Sequence, residues 1–587
     1  MSGFKIYLSN RLEKLSEQLA KIVSEPLSSA LSPEIIVVHS KGMERWISLE
    51  LAANNGICAN CKFPFPNNFL HDLFKLTEPS MPDESPFETR IMTFKIMKIL
   101  LSLKNSQGFE EIKKYLKNDS DEIKLFQLSE KIAETFNQYL VFRPEMIAAW
   151  EKGIENHWQA RLWQEVSKNC SHLHMVNLRN VFMDKLTSER ELINNLPGRI
   201  SLFGISYLPL FHIEVLEEIS HYTEVYLFVL NPCREYWGDI VTERELGKIK
   251  SLYRDADISG QELFLEKGNP LLSSLATLGR NFLTTISSLE GELFELFEDQ
   301  DENCILSAIQ SDILNLKDIT SYGSIASSID LKSAYGLKEP DASISINSCH
   351  SAMREIEALY DYLLSLFDED PDLLPKDIMV MTPDIELYAP FINAVFDSQT
   401  NEMLKIPFSI ADQNVLKKNS IIRSFMMILD LPDKRLTASQ VMGLLDFFPI
   451  REKFSLKEAD ISSIERWISD TNIRWGIDDM YRIKIGLPGF KENTWKAGIQ
   501  RLLLGYAMQS ENGRFFKEIL PYDNIEGSDA KILGNFLNFL DQLFIVEEEL
   551  KQNKTLMEWS EVLIAILKRS RMAMRTSDHS RALFLCR

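Results

Sequence analysis

Three local patterns place reactive side chains at spacings that chemistry uses. Cys58-Ala59-Asn60-Cys61 has the spacing of half a zinc knuckle, and Cys170, His172 and His174 could complete four ligands. A closed zinc site is built from two tight pairs, whereas these halves lie far apart with no second CxxC, so no metal site is expected. Glu111-Ile112-Lys113 and Glu122-Ile123-Lys124 match the (D/E)xK end of a metal-dependent nuclease, but both lie in charged helical sequence and read as solvated faces. The turn His39-Ser40-Lys41-Gly42 follows a β-rich run, where a nucleotide-binding α/β domain places its phosphate loop. That loop needs GxxxxGK[ST]: glycines admit the phosphates to backbone N–H groups, Lys neutralises them and the hydroxyl holds Mg²⁺. Here one glycine follows the lysine, and the consensus occurs nowhere in the chain. No catalytic or cofactor-binding residue is expected, and His212, His221 and His350 read as packed or surface histidines.

A different chemistry is written in Lys62-Phe63-Pro64-Phe65-Pro66-Asn67-Asn68-Phe69. Aromatics interleaved with Lys41, Arg45, Lys62 and Lys75 could stack bases and contact phosphates of a single strand. Phenylalanines beside prolines equally fill a core edge. Phe136, Gln138, Tyr139 and Arg143 have the same double reading: base contact, or the cap of a helical bundle. The chain carries 64 Lys+Arg against 85 Asp+Glu, a net charge of −21. This balance argues against broad, sequence-independent coating of nucleic acid, and any DNA contact must come from a local basic channel or from partners.

The elements that must position these residues alternate. Phe4–Leu8 reads as a strand, and Ser9 and Asn10 are good N-caps, Asn10 with Glu13 having capping-box spacing. Leu12, Leu15, Leu19, Ile22 and Val23 share a helical face, Glu34–Val38 is a buried parallel strand, and a helix is expected from Met43 to Ala53. From 86 to 195 the pattern is helical, with stripes Met92-Ile96-Ile99-Leu103 and Leu128-Ile132-Phe136-Tyr139. Strands return at Arg199–Ile205 and Glu224–Leu230, with a helix at Phe211–Ser220 between them. The stretch 287–341 is acidic and serine-rich, like a domain boundary. Strands at Ser343–Ser348, Asp377–Thr382 and Ile406–Ile410, with helices between, predict a second α/β unit before a helical remainder.

The 587 residues are 45% hydrophobic and 25% charged, an ordinary globular composition. The predicted order is 1–85, the first part of an N-terminal α/β domain; 86–195, a helical insertion; 196–335, the return to that domain; 336–430, a second α/β domain; 431–568, a helical subdomain; and 569–587, an atypical arginine-rich tail. The opening MSGFKIYLSNRLEKL has no apolar signal core, no run approaches the roughly 20 residues that span a bilayer, and seven scattered cysteines read as thiols. A cytoplasmic protein is expected.

YLSNRLE (7–13), HSKGMERW (39–46), FPFPNNF (63–69), KLFQLSEKIAETFNQYLVFRPE (124–145), LNPCREYWGDI (230–240), CHSAMREIE (349–357) and NIRWGID (472–478) together resemble the RecC family, the gamma subunit of exodeoxyribonuclease V (RecBCD). The resemblance continues through FGIS (203–206), GNPLL (268–272), IQSDIL (309–314), LLLGYAM (502–508) and LPYD (520–523), and runs to about Ala565. It implies superfamily 1 helicase-like parallel-sheet domains without a P-loop, carrying large helical insertions. It further implies a non-catalytic, bacterial cytoplasmic scaffold joining RecB-like and RecD-like motor subunits, with ATP and Mg²⁺ acting in those partners. Single- and double-stranded DNA ends would be its substrates in repair and recombination, with the 3′-ending strand scanned for Chi.

Carried over residue by residue, the scanning-channel positions are Gln138 and Arg143, which keep the family's type, and His39, Lys41, Arg45, Phe65, His71, Glu134 and Asn137. The family prefers Gln, Thr, Gln, Leu, Trp, Asp and Asp at those seven positions. Base readout depends on donor and acceptor placement, so strand contact is implied more strongly than Chi itself. Family members are about twice as long, and the arginine-rich end predicts a truncation or frameshift near Leu567, with exposed apolar surface on the helices from Lys531 onward. Two rival readings stand beside the scaffold: a chain with its own ATPase or nuclease activity, and an acidic protein-interaction factor with no DNA role.

Overall fold

The structure is a computed structural model. It describes the chain apart from residues 1–2, 30, 83, 104–105, 118–122, 243–267, 301–302, 318–340, 400, 402–403, 413–418, 509–514 and 570–587, and the side chains of 433 and 569. Residues 570–587 of the predicted tail and Glu122, the first residue of the second triplet, therefore lie outside what is described. Two compact units are present, Met1–Ile346 and Asn347–Arg587.

The N-terminal unit is α/β. It opens β1 (Phe4–Ser9), α1 (Leu12–Ser24), β2 (Glu34–Val37), α2 (Lys41–Asn55), β3 (Cys61–Lys62) and α3 (Pro66–Thr77). It then makes a helical excursion through α4 (Thr89–Leu103), α5 (Glu110–Tyr115), α6 (Ile123–Phe142), α7 (Pro144–Glu151), α8 (Trp158–Ser167), α9 (Met175–Ser188) and α10 (Arg190–Asn195). β4 (Arg199–Phe203), α11 (Leu210–Ser220), β5 (Glu224–Leu230) and β6 (Gly291–Glu295) complete a six-stranded sheet in the order β3-β2-β4-β5-β1-β6. Every neighbouring pair is parallel, with Ile6 opposite Leu227 and Ile200 opposite Val225.

Parallel sheets need cover on both faces, and strand alternation supplies it. Phe4, Ile6, Leu8, Val37, Ile200, Leu202, Val225, Leu227 and Val229 share one core with residues of α3, α9 and α11. Tyr7, Ile36, Val38, Phe203, Tyr226 and Phe228 point the other way, into a core with Leu15 and Leu19 of α1 and Ile47 and Leu51 of α2. Arg199 is buried between the two N-terminal strand ends: it pairs with Glu34 and donates to the carbonyls of Ile22 and Glu25. The insertion has its own core around Phe136, Trp150 and Trp163. In its wall His174 Nε2 lies 2.8 Å from Glu151, whose carboxylate also accepts from Asn177 and Trp163.

Some expectations need correction. Ser9 and Asn10 do not cap α1, whose N-cap is Arg11 with no side-chain hydrogen bond. Ser9 Oγ instead donates to Leu296 O at 2.8 Å, and Asn10 pairs with both backbone groups of Glu298, so the distant segment that follows β6 outcompetes the local cap. α2 starts at Lys41, because Ser40 Oγ accepts from Met43 N–H at 3.1 Å. β6 lies inside the stretch read as a boundary; GELFE sits at the sheet edge and stays exposed, so it lacks the apolar alternation of a covered strand.

Among the described residues, no strand forms at Ser343–Ser348, where the two units meet in sequence, or in the C-terminal unit at Asp377–Thr382 or Ile406–Ile410. These segments are extended and unladdered. Ile378 and Ile406 rest on the helices Ala352–Glu369 and Ile385–Phe396, while Met379 and Met381 are more than four-fifths exposed. A strand exists only when a neighbour takes its N–H and C=O groups, and these have none in a ladder. Among the described residues of 336–430, where a second α/β domain is predicted, there are the α-helices Ala352–Glu369, Ile385–Phe396 and Ser420–Leu429 and extended segments outside any ladder. The helices from Lys531 onward expose Ile545, Leu556 and Met557, as expected, but they also contribute to a packed core. Leu533, Phe536, Phe539, Leu540 and Leu543 of Asp529–Leu550 are buried in a core with Trp467 and Trp495. Gly505 makes close passage possible there: a Cβ on it would lie 1.8 Å from Tyr522 O. Among the described residues no helix is long and apolar enough to cross a membrane.

Candidate nucleic-acid interface

All strands being parallel, the turns after β1, β2 and β4 open on one edge of the sheet, where α/β proteins place ligands. The turn after β1 is filled by the chain itself. Besides the Ser9 and Asn10 contacts, Lys14 forms an ion pair with Glu298 at 3.0 Å. The turn after β2 is open. His39 and Ser40 are exposed, Lys41 and Arg45 project from the first turns of α2, and Phe65 stands half-buried as N-cap of α3. Lys41 Nζ lies 5.7 Å from the Phe65 ring centroid, within cation–π range. Its charge is shared with Glu44 at 2.5 Å, while Arg45 has no ion pair among the described residues. Gly204, at the end of β4, has φ 63°, and a Cβ there would press on Met43 at 3.0 Å.

Behind this turn two histidines carry unspent hydrogen-bonding capacity. His212 of α11 is 3% exposed; its Nε2 meets Asn67 Oδ1 at 2.9 Å, and its Nδ1 is buried without a partner. Burial, with the nearby His39 adding to it, pushes His212 down to about 4, so it is neutral at pH 7. His71 stands one turn beyond Asn67 on α3, and its Nε2 is also buried and unpartnered. The His212–Asn67 contact has no local signal in the sequence, since the two residues are 145 apart.

The second group lies on the insertion. Glu134, Asn137 and Gln138 are exposed on one face of α6, and Arg143 follows as N-cap of α7. Glu134 is paired with Lys131 at 2.8 Å, and Arg143 has no ion pair among the described residues. Phe136 is fully buried against Trp163, so it packs rather than stacks on bases. Among the described residues no hydrogen bond or ion pair joins this group directly to the first. They share a neighbour, α11, which packs on α6 and holds Asn67 of α3 through His212.

The other chemistries find little support. Glu111 and Lys113 are exposed on α5, flanking a buried Ile112. Among the described residues no three metal-ligating side chains cluster, and Cys170 is 3.0 Å from Lys95 Nζ. The distinctive motifs do structural work. In LNPCREYWGDI, Asn231 accepts from Trp237 Nε1 and from the Cys233 amide. In NIRWGID, Trp475 lies under the Arg482 guanidinium at 4.1 Å.

The family model described as RecC, N-terminal domain, matches residues 4–316, and that of the RecBCD enzyme subunit RecC fourth domain matches 418–583. The RecBCD enzyme subunit RecC of Escherichia coli (strain K12) is 37% identical over 94% of this chain and 52% of its own length. That of Haemophilus influenzae is 32% identical over 99% and 55%, and that of Buchnera aphidicola subsp. Acyrthosiphon pisum 29% over 95% and 51%. The chain spans about half the length of these curated relatives. With its N-terminal model covering more than half of the residues, the chain belongs to the RecC family.

Proposed function

We propose that this chain is a non-catalytic scaffold and DNA-contacting subunit of a RecBCD-type (exodeoxyribonuclease V) complex. It would act in the bacterial cytoplasm on double-strand break ends, in repair and recombination. RecB-like and RecD-like partners would supply ATP hydrolysis, Mg²⁺ and strand cleavage. The parallel sheet, with β1 interior and crossovers on both faces, supports a helicase-like origin for the N-terminal unit. The observation that carries the reading is at the sheet's carboxyl edge. The first turn, which a nucleotide phosphate would need, is filled by Leu296–Glu298, while the second turn stays open with Lys41, Arg45, His39 and Phe65.

In this reading Arg45, Lys41 and Arg143 contact phosphates, Phe65 stacks, and His39, His71, Glu134, Asn137 and Gln138 meet base edges. The altered donor and acceptor set supports strand contact more strongly than readout of Chi itself. The test is single-strand binding as a function of salt. Arg45→Ala with Arg143→Ala should lower the log–log salt slope by about 1.4, at about 0.7 per phosphate contact for a single strand. An unchanged slope sinks the DNA reading and leaves the acidic interaction factor, which the Lys41–Glu44 pairing and the net charge favour. DNA-stimulated ATPase or Mg²⁺-dependent nuclease activity of the chain alone would instead establish the enzyme reading. Co-purification with a RecB-like subunit tests the scaffold role separately.

A further inference from the structure

The Cys58–Cys61 pair is not needed by any reading above. Asn60 lies between them with φ 55°, and Gly56 opens the turn with φ 79°. The turn is pinned: Asn60 Nδ2 donates to Ser32 O at 2.9 Å, and Glu34 N–H donates to Asn60 O at 3.0 Å. Cys61 begins β3 opposite Glu34, and both cysteines are half-exposed on the rim of the α1–α2 core. Both thiols pack on that same rim, three residues apart across the turn. A dithiol spaced i, i+3 in a held turn, open to solvent, has what disulfide closure requires without moving the chain far.

We infer that Cys58 and Cys61 form a reversible intramolecular disulfide, a redox modification site whose oxidant is a low-molecular-weight disulfide such as oxidised glutathione. The Cys58 thiolate attacks one glutathione sulfur, forming a mixed disulfide and releasing the first glutathione. Cys61 sulfur then displaces the second glutathione and closes the Cys58–Cys61 bond. Two protein thiols are oxidised, one glutathione disulfide is reduced, and the two thiol protons end on the two glutathiones. Burial pushes the Cys61 thiol up to about 12, with the adjoining Cys58 adding to it.

The experiment equilibrates the full chain with oxidised and reduced glutathione over a range of ratios, quenches by alkylation and maps peptides by mass. The peptide holding both cysteines should become lighter by two hydrogens and refuse the alkylating reagent, and dithiothreitol should reverse this. Cys61→Ser should leave Cys58 as the glutathione mixed disulfide. Both thiols still alkylated at the most oxidising ratio, or each carrying its own glutathione, overturns the inference. The wild-type map decides even if the variant does not fold, and it is independent of DNA binding.

Discussion

The strands of the N-terminal unit and the extended segments of the C-terminal one have similar sequences and different fates. VYLFVL in β5 and DIMVMT at 377–382 are both β-rich runs with apolar residues on each side. In β5 each residue meets a partner, Val225 against Phe4 and against Ile200, and both faces are covered, so Phe228 is fully buried. At 377–382 one side rests on a helix pair, no ladder forms, and Met381 is 85% exposed. A strand is thus a property of pairs and layers; the pattern states only that a segment would suit one.

That contrast can be broken by substitution. The largest effect is expected where the sheet holds a charge. Arg199→Leu should leave Glu34 buried without its partner and lower the unit's stability by about 3–5 kcal/mol, read as faster amide exchange across β2 and β4. Adding Glu34→Leu should recover most of the loss, and a double variant as weak as the single would show that the pair does more than satisfy itself. Leu227→Ala in β5 should cost about 2–5 kcal/mol by transfer and cavity terms, in the same assay.

Acid provides a third test. His212 titrates near 4 in the fold and near 6.5 when unfolded, so between these values the unfolded chain binds more protons. Its contribution is complete above about pH 6.5 and is lost as pH falls toward 4, by about 3 kcal/mol in all. Denaturant midpoints against pH should show this slope, and His212→Phe should flatten it; an unchanged slope would place the titration elsewhere. The smallest effect belongs to the exposed segment. Met379→Ala with Met381→Ala should change stability by under about 0.5 kcal/mol, because those side chains bury little. A cost like that of Leu227→Ala would mean that the segment is covered in solution.

The candidate interface was partly legible for similar reasons. Lys41, Arg45 and Phe65 could be placed together because a strand, a turn and a helix follow one another within thirty residues. Glu44, three residues after Lys41, could have warned that this lysine is not a free charge. His212 beside Asn67 could not be foreseen, since only the packing of α11 on α3 joins them.

The amino-acid sequence by itself determined the alternation of β1, α1, β2, α2, β4, α11 and β5, the helical nature of the insertion and the lack of a phosphate-loop consensus. Period, caps and composition are local quantities, and a chain carries them whatever it packs against. Tertiary structure decided that β6 is a strand, that Ser9 and Asn10 hold residues 296 and 298 instead of capping a helix, that 377–382 is not in a sheet, and that Asn67 meets His212. Each of these depends on which distant group arrives to take a hydrogen bond or cover a face, and one-dimensional periodicity carries no record of that arrival.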